Sequence, residues 1–318
     1  MRKSILLILL TLSMALSAMT PEQEQRFKYY YYEAVRLFQA EDYQTSYKLF
    51  RFLYQLDNQD AGVNLYLGLF SNAYHDQEGA TTFFRQAYLS CPEEYWLQYA
   101  AILFQSQDKA SQDEAIKVLN NATRLQPDNS EVWDNLRQAY AAVGRYKDAL
   151  HAQDEIDRLT GYNAYSAFNR YQMQMMLGQP KKAMAELDRY LAETPNDVQF
   201  LIYKTELSEA MHLKAKKLIP LYERILHLDP RNATTLNNYA YLLATHKGDL
   251  NRAESMSRQA IQQEPQDANY LDTYAWILFL NGEQALAQMY IRRAIECYKG
   301  KTLTKEVLKH AAKILNTK

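Results

Sequence analysis

The side chains able to ligate a metal or to act as nucleophile and base are few and scattered. Histidine stands at positions 75, 151, 212, 227, 246 and 310, and cysteine at 91 and 297. None of them pairs with another at metal-ligand spacing, and no His-Glu-x-x-His occurs. The nine glycines form neither a phosphate loop nor a dinucleotide-binding run. No Gly-x-Ser-x-Gly elbow is present to raise a serine nucleophile. Carboxylates are plentiful, but 37 Asp and Glu face 36 Lys and Arg, a balance typical of solvated surface. The sequence therefore predicts a protein that is not an enzyme and uses no cofactor or metal. A formal net charge of −1 supplies no global field for nucleic acid.

The elements that carry these residues are set by an internal period. One small or apolar residue recurs as Ser46, Ala80, Ala115, Ala149, Ala183, Leu218, Ala253 and Ala287, in steps of 34 or 35. Four residues on from each stand Phe50, Phe84, Leu119, Gln153, Leu187, Tyr222, Ser257 and Ile291. Seven on stand Leu53, Ala87, Ala122, Ile156, Tyr190, Ile225, Ala260 and Ala294. Offsets of four and seven put three residues on one helix face, with the small one admitting a close neighbour. Pro92, Pro127, Pro195, Pro230 and Pro265 follow these helices and stop them, because proline lacks the amide hydrogen of a helix interior. Gly144, Gly178, Gly248 and Gly282 fall between the two helices of their units, where a left-handed cap suits glycine.

This pattern resembles the tetratricopeptide repeat, a 34-residue hairpin of two antiparallel helices. The fourth unit matches most fully, with Trp133, Leu136, Tyr140, Gly144, Tyr146 and Ala149, and with Gly161 where the family has proline. The resemblance implies an all-α fold: a right-handed superhelical α-solenoid of about eight units over residues 19–300, read as one continuous array, plus a capping helix over 301–318. Unit six departs, with Leu218 for alanine, no glycine between its helices, and Pro220 expected in the first turn of its second helix. Unit three is expected to start early, at Trp96, and to carry extra residues in a loop from Gln105 to Asp113. Cys91 and Cys297 lie six units apart, too far for the roughly 7 Å that a disulfide allows between Cα atoms.

In this family the first helix of each unit lines the inner, concave surface. Carried over, the resemblance gives partner-binding positions Asp134, Gln138, Phe168, Gln172, Asn237, Tyr241, Asp272 and Trp276, with Ala141, Tyr165, Met175, Ala244, Asn269 and Phe279 beside them. Asparagine and glutamine there can bond an extended peptide, and Trp276 and Tyr241 are the residue types that anchor interfaces. The pairing of Asn237 with Asp272 and Trp276 can equally join consecutive units. The lysine- and asparagine-rich clamp that a family subclass uses for carboxyl-terminal peptides is missing.

The two ends differ from the array. Arg2 and Lys3 precede the apolar run Ile5 to Leu12, then small residues from Ser13 to Ala18, then Thr20-Pro21-Glu22. A basic head, a short apolar body and a small-residue zone read as a secretory signal over residues 1–18, cut after Ser17 or Ala18. Its removal takes the formal charge from −1 to −3. No cysteine in that zone supports lipid attachment, and no later stretch is apolar enough to span a bilayer. At the other end a helix from Leu303 to Leu315 carries an apolar stripe of Val307, Leu308, Ala311, Ala312 and Leu315. Lys305, Lys309 and Lys313 line another face, as a solvated cap or a basic patch.

The first unit opens Tyr29-Tyr30-Tyr31-Tyr32, whose side chains must point around much of a helix, some packing and some facing out. With 26 tyrosines in all, the residue type serves large core positions or an aromatic lining. The reading is thus a protein-interaction scaffold of the bacterial cell envelope, exported to the periplasm, taking a protein or peptide partner in its concave groove. The alternative is a glycan- or cell-wall-binding module using a tyrosine-rich inner face. The oligomeric state is left open.

Overall fold

The computed structural model describes residues 19–298 and 302–316, so the signal segment expected over 1–18 and Lys299, Lys301 and Lys318 lie outside the described residues. The periodic small residues fold as the spacing requires. Ser46, Ala80, Ala115, Ala149, Ala183, Ala253 and Ala287 are fully buried, and Leu218 nearly so. Each sits early in the second helix of a hairpin, where a methyl-sized side chain lets the first helix close on it. The residues four and seven further on are buried as well, except half-buried Tyr190.

The described chain groups into two compact bodies, the first ending at Tyr162 and the second starting at Asn163. Body one holds four hairpins: α1 (Pro21–Gln39) with α2 (Tyr43–Leu56), α3 (Ala61–Ala73) with α4 (Gln77–Ser90), α5 (Pro92–Gln105) with α6 (Lys109–Leu125), and α7 (Ser130–Ala142) with α8 (Tyr146–Thr160). Body two holds four more: α9 (Ala164–Met176) with α10 (Pro180–Glu193), α11 (Val198–Ala210) with α12 (Ala215–Leu228), α13 (Ala233–Thr245) with α14 (Leu250–Gln263), and α15 (Ala268–Leu280) with α16 (Gln284–Cys297). A last helix, α17 (Lys305–Asn316), follows. The two bodies meet in sequence at the turn of Gly161, whose φ of 81° ends α8; the turns before α7, α11, α13 and α15 carry proline instead, at Pro127, Pro195, Pro230 and Pro265.

Local chemistry explains the boundaries. Asp42, Asp60, Asp76, Asp108, Asn129, Asn163, Asp197, Asn232, Asp249 and Asp267 each accept a backbone amide of the first turn they precede. Thr20 and Gln23 form a reciprocal capping box at the start of α1. Every hairpin turns on one residue with positive φ: Glu41, His75, Gln107, Gly144, Gly178, His212, Lys247 and Gly282. Only three of the eight are glycine. In unit seven Lys247 takes the left-handed conformation expected of Gly248, while the Gly248 amide caps back to the Leu243 carbonyl at 2.8 Å.

Two further expectations are corrected. The extra residues of unit three extend α6, which is 17 residues long, and leave only positions 106–108 between its helices. Pro220 lies inside α12 rather than in its first turn. Packing within body one is aromatic: Tyr66 stacks on Phe50 at 4.4 Å, and Tyr31 meets Phe50 edge-on at 5.9 Å. Tyr29 and Tyr32 face out, as a helical run of four must leave some rings to do. Burial pushes the Tyr31 phenol up to about 12.

Candidate functional site: the first-helix face

The turn residues give a common register for the first helices. Asp134, Phe168, Asn237 and Asp272 stand ten positions before the left-handed residue of their hairpins. Gln138, Gln172, Tyr241 and Trp276 stand six before it. One helical turn separates the two places, so all eight belong to one repeated row. In body one the same row continues backwards as Leu97 and Ala101, then Leu65 and Leu69, which are half-exposed or exposed. Motif matching missed these, because it carried positions only onto units resembling the family well.

In body one Asp134 is committed locally. Its Oδ1 accepts from Arg137 Nε at 2.9 Å and Nη2 at 2.7 Å, and its Oδ2 from Gln138 Nε2 at 2.8 Å. Gln138 lines a cleft of about 270 Å³ with Leu97, Ala101, Phe104 and Ala142. The cleft is largely apolar because α5 presents leucine, alanine and phenylalanine to it.

In body two the face differs along its length. At α9 and α11, Phe168, Tyr171 and Tyr203 pack together, with Phe168 and Tyr203 centroids 5.3 Å apart, while Gln172 is exposed. At α13 and α15 the row is covered by α17. His310 Nδ1 lies 2.9 Å from Asp272 Oδ2, and its ring stacks on Trp276 at 4.3 Å and 15°. Tyr241 bonds Glu306 through its hydroxyl, and burial together with that bond holds its phenol far above the usual range. Lys313 Nζ sits 5.5 Å from the Trp276 ring centroid, within cation–π reach. Gln284 Nε2 and Gln288 Nε2 donate to the Ile314 carbonyl at 2.5 and 3.3 Å, fastening the far end of α17.

The last helix therefore seats differently from the expected stripe. Val307, His310, Ala311 and Ile314 are buried, whereas Leu308 and Ala312 face out and Leu315 is half-exposed. The spacing 307, 310, 311, 314 is a full helical stripe. It escaped notice because its second member is histidine, which hydropathy reads as a gap. Asp272 and Trp276 beneath α17, and Asn237 on α13, are more than nine-tenths buried, at 6, 9 and 5% exposure.

The His310–Asp272 pair could orient an imidazole for base chemistry, and the Tyr241 ring stands 6.0 Å from that of His310. The nearest phenol, Tyr241, is engaged by Glu306. Among the described residues no group of three or more His, Cys, Asp or Glu could hold a metal ion. Cys91 and Cys297 are separate, half-buried thiols. No described helix is long and apolar enough to cross a membrane. The face holds an apolar cleft in body one, and an aromatic and carboxylate seat in body two.

No family model matches the sequence. A TPR repeat-containing protein of Pseudomonas aeruginosa is 25% identical over 198 residues, 59% of this chain and 32% of that protein; the chain thus matches about a third of its relative's length. Among solved structures, the C-terminal part of a TPR repeat-containing protein from Cytophaga hutchinsonii aligns with a TM-score of 0.59 at 14% identity, covering 76% of this chain and 98% of that one. YrrB, described as a TPR protein with an unusual peptide-binding site, aligns with a TM-score of 0.48 at 15% identity over 61% of this chain and 97% of its own. The all-helical hairpins, their 34- to 35-residue period and the likenesses to the Pseudomonas and Cytophaga proteins give the chain the fold of a tetratricopeptide repeat protein.

Proposed function

We propose that the protein is a non-enzymatic interaction scaffold that binds a protein or peptide partner along its first-helix face. The observation that carries this reading is the seating of α17. An amphipathic helix from the same chain lies against that face in body two, held by residues of the repeated row. The face is built on packed hairpins, so binding costs little ordering of the scaffold. The basic, apolar and small-residue succession at 1–18 supports export, which would place the partner in the cell envelope.

The glycan-binding alternative needs open aromatic platforms. Most tyrosine rings of the row and core instead meet other rings, as Tyr31 with Phe50, Tyr171 with Tyr203 and Tyr222 with Tyr239. The interaction reading is therefore preferred.

Site-specific photocrosslinking in cells tests it. A photoreactive residue at Gln138 or Gln172, both exposed on the row, should give discrete higher-mass adducts; the same residue at Lys117, exposed on a second helix, should not. Equal labelling from all three positions, or none from the row, would count against the scaffold reading. The mass of the mature amino terminus tests export separately: cleavage after Ser17 or Ala18 is expected.

A further inference from the structure

The seat of α17 is only half satisfied. Asp272 uses Oδ2 on His310, while its Oδ1 has no hydrogen-bond partner, and neither does Trp276 Nε1 or Asn237 Oδ1. All three side chains are nine-tenths or more buried, and all belong to the repeated row on the adjacent first helices α13 and α15. Buried polar atoms left without partners cost free energy, and their presence in a packed seat signals a group better matched than the one now there.

The missing chemistry can be read from the atoms. Asp272 needs a second donor beside the first, in the plane of its carboxylate. Trp276 already carries one flat nitrogenous ring on its face, with a lysine cation above it. Imidazole can direct only one ring nitrogen at a carboxylate. Guanidinium directs two parallel N–H groups at both oxygens and stacks on an indole as well. Exposed Glu206, six places before the turn residue of α11, adds acid to the same row.

We propose that the Asp272–Trp276 seat is an arginine-recognition site, and that α17 is an internal ligand whose His310 stands in for the arginine of an amphipathic partner helix. This rests on the scaffold reading and names the chemistry of its partner in body two. A partner helix with arginine at the place of His310 saturates Asp272 and keeps the apolar contacts made now by Val307, Ala311 and Ile314. Tethering gives α17 a high effective concentration, so the seat stays closed until a better-matched helix competes.

Peptide binding to the full-length chain tests the assignment. Val307→Asp and, separately, Ile314→Asp place a charge under α17 and release it from the seat. Either serves as host, provided it melts cooperatively. Three labelled peptides spanning residues 305–316 are titrated by fluorescence anisotropy: the native sequence, His310→Arg and His310→Ala. The expected order is arginine tightest, then histidine, then alanine, with at least about tenfold between the first and last, the ratio of roughly one charge-assisted bond. Adding Asp272→Asn to the host should collapse that order. Equal affinities of the three peptides, or an order that survives Asp272→Asn, overturn the arginine site while leaving the scaffold reading intact. Failure of all three peptides to bind either folded host overturns the site and removes α17 as a model for the partner.

Discussion

His310 and Asp272, 38 residues apart in sequence, are joined at 2.9 Å in a buried contact that ties the last helix to the first helix of the eighth hairpin. Removing either partner leaves the other buried and unpaired. His310→Ala is expected to cost about 1.5–3 kcal/mol, the range for a hydrogen bond involving a group of ionic type. Asp272→Ala should cost a similar amount, and the double variant less than the sum because the two act on one contact. Urea unfolding of the four proteins measures this; strict additivity would show that the contact contributes nothing.

Gly68 is required by close approach. A Cβ built on it would lie 2.5 Å from the Phe84 ring, which is buried in the hairpin of α3 and α4. Gly68→Ala should therefore destabilise by about 1–3 kcal/mol, the usual cost of overpacking. The double variant Gly68→Ala with Phe84→Leu should recover part of the loss in thermal melts. A neutral Gly68→Ala would contradict the packing.

Five hairpin turns place a residue with a side chain in the left-handed region. That conformation costs such a residue about 1–2 kcal/mol, against roughly 0.5–1 kcal/mol of extra chain entropy for glycine. Lys247→Gly and His212→Gly should each stabilise by on the order of 0.5 kcal/mol. Lys247→Pro should destabilise strongly, since proline cannot adopt positive φ.

Glu209 accepts from the Tyr222 hydroxyl, and burial raises its carboxyl above the ordinary glutamate value of 4.5. A folded-state pKa above the unfolded one means that the folded chain binds more protons. This contribution to stability is full below 4.5 and is lost as pH rises through the folded value. Glu209→Gln keeps an acceptor and removes the buried charge. It should be more stable than the parent at pH 7, and the gap should close as pH falls towards 4.5. A gap that widens with acidity would reverse the sign of the argument.

Much of this architecture was legible because it is periodic. Ala115, Ala149 and Ala253 announce a close helix approach by size and spacing alone, and the structure buries each completely. The turns were only partly legible. Gly248 drew attention by residue type, but the backbone gives the left-handed place to Lys247, as the capping geometry counts from the helix end rather than from the glycine. The seat of α17 was hidden because it depends on a contact between His310 and Asp272 that no local spacing encodes. The row itself was found through Asp134, Gln138, Phe168 and Gln172. Its apolar continuation at Leu65, Leu69 and Leu97 was not, because leucine on a helix reads as core until the neighbouring helix is placed.

The most direct test of the account is the accessibility of Trp276. With Trp96→Phe and Trp133→Phe in place, Trp276 is the sole indole of the three, and its emission can be quenched by acrylamide. The account predicts a shielded indole in the full-length protein, and a several-fold rise in the quenching constant when Val307→Asp releases α17. An indole already fully quenchable before that substitution would contradict a C-terminal helix seated on the first-helix face.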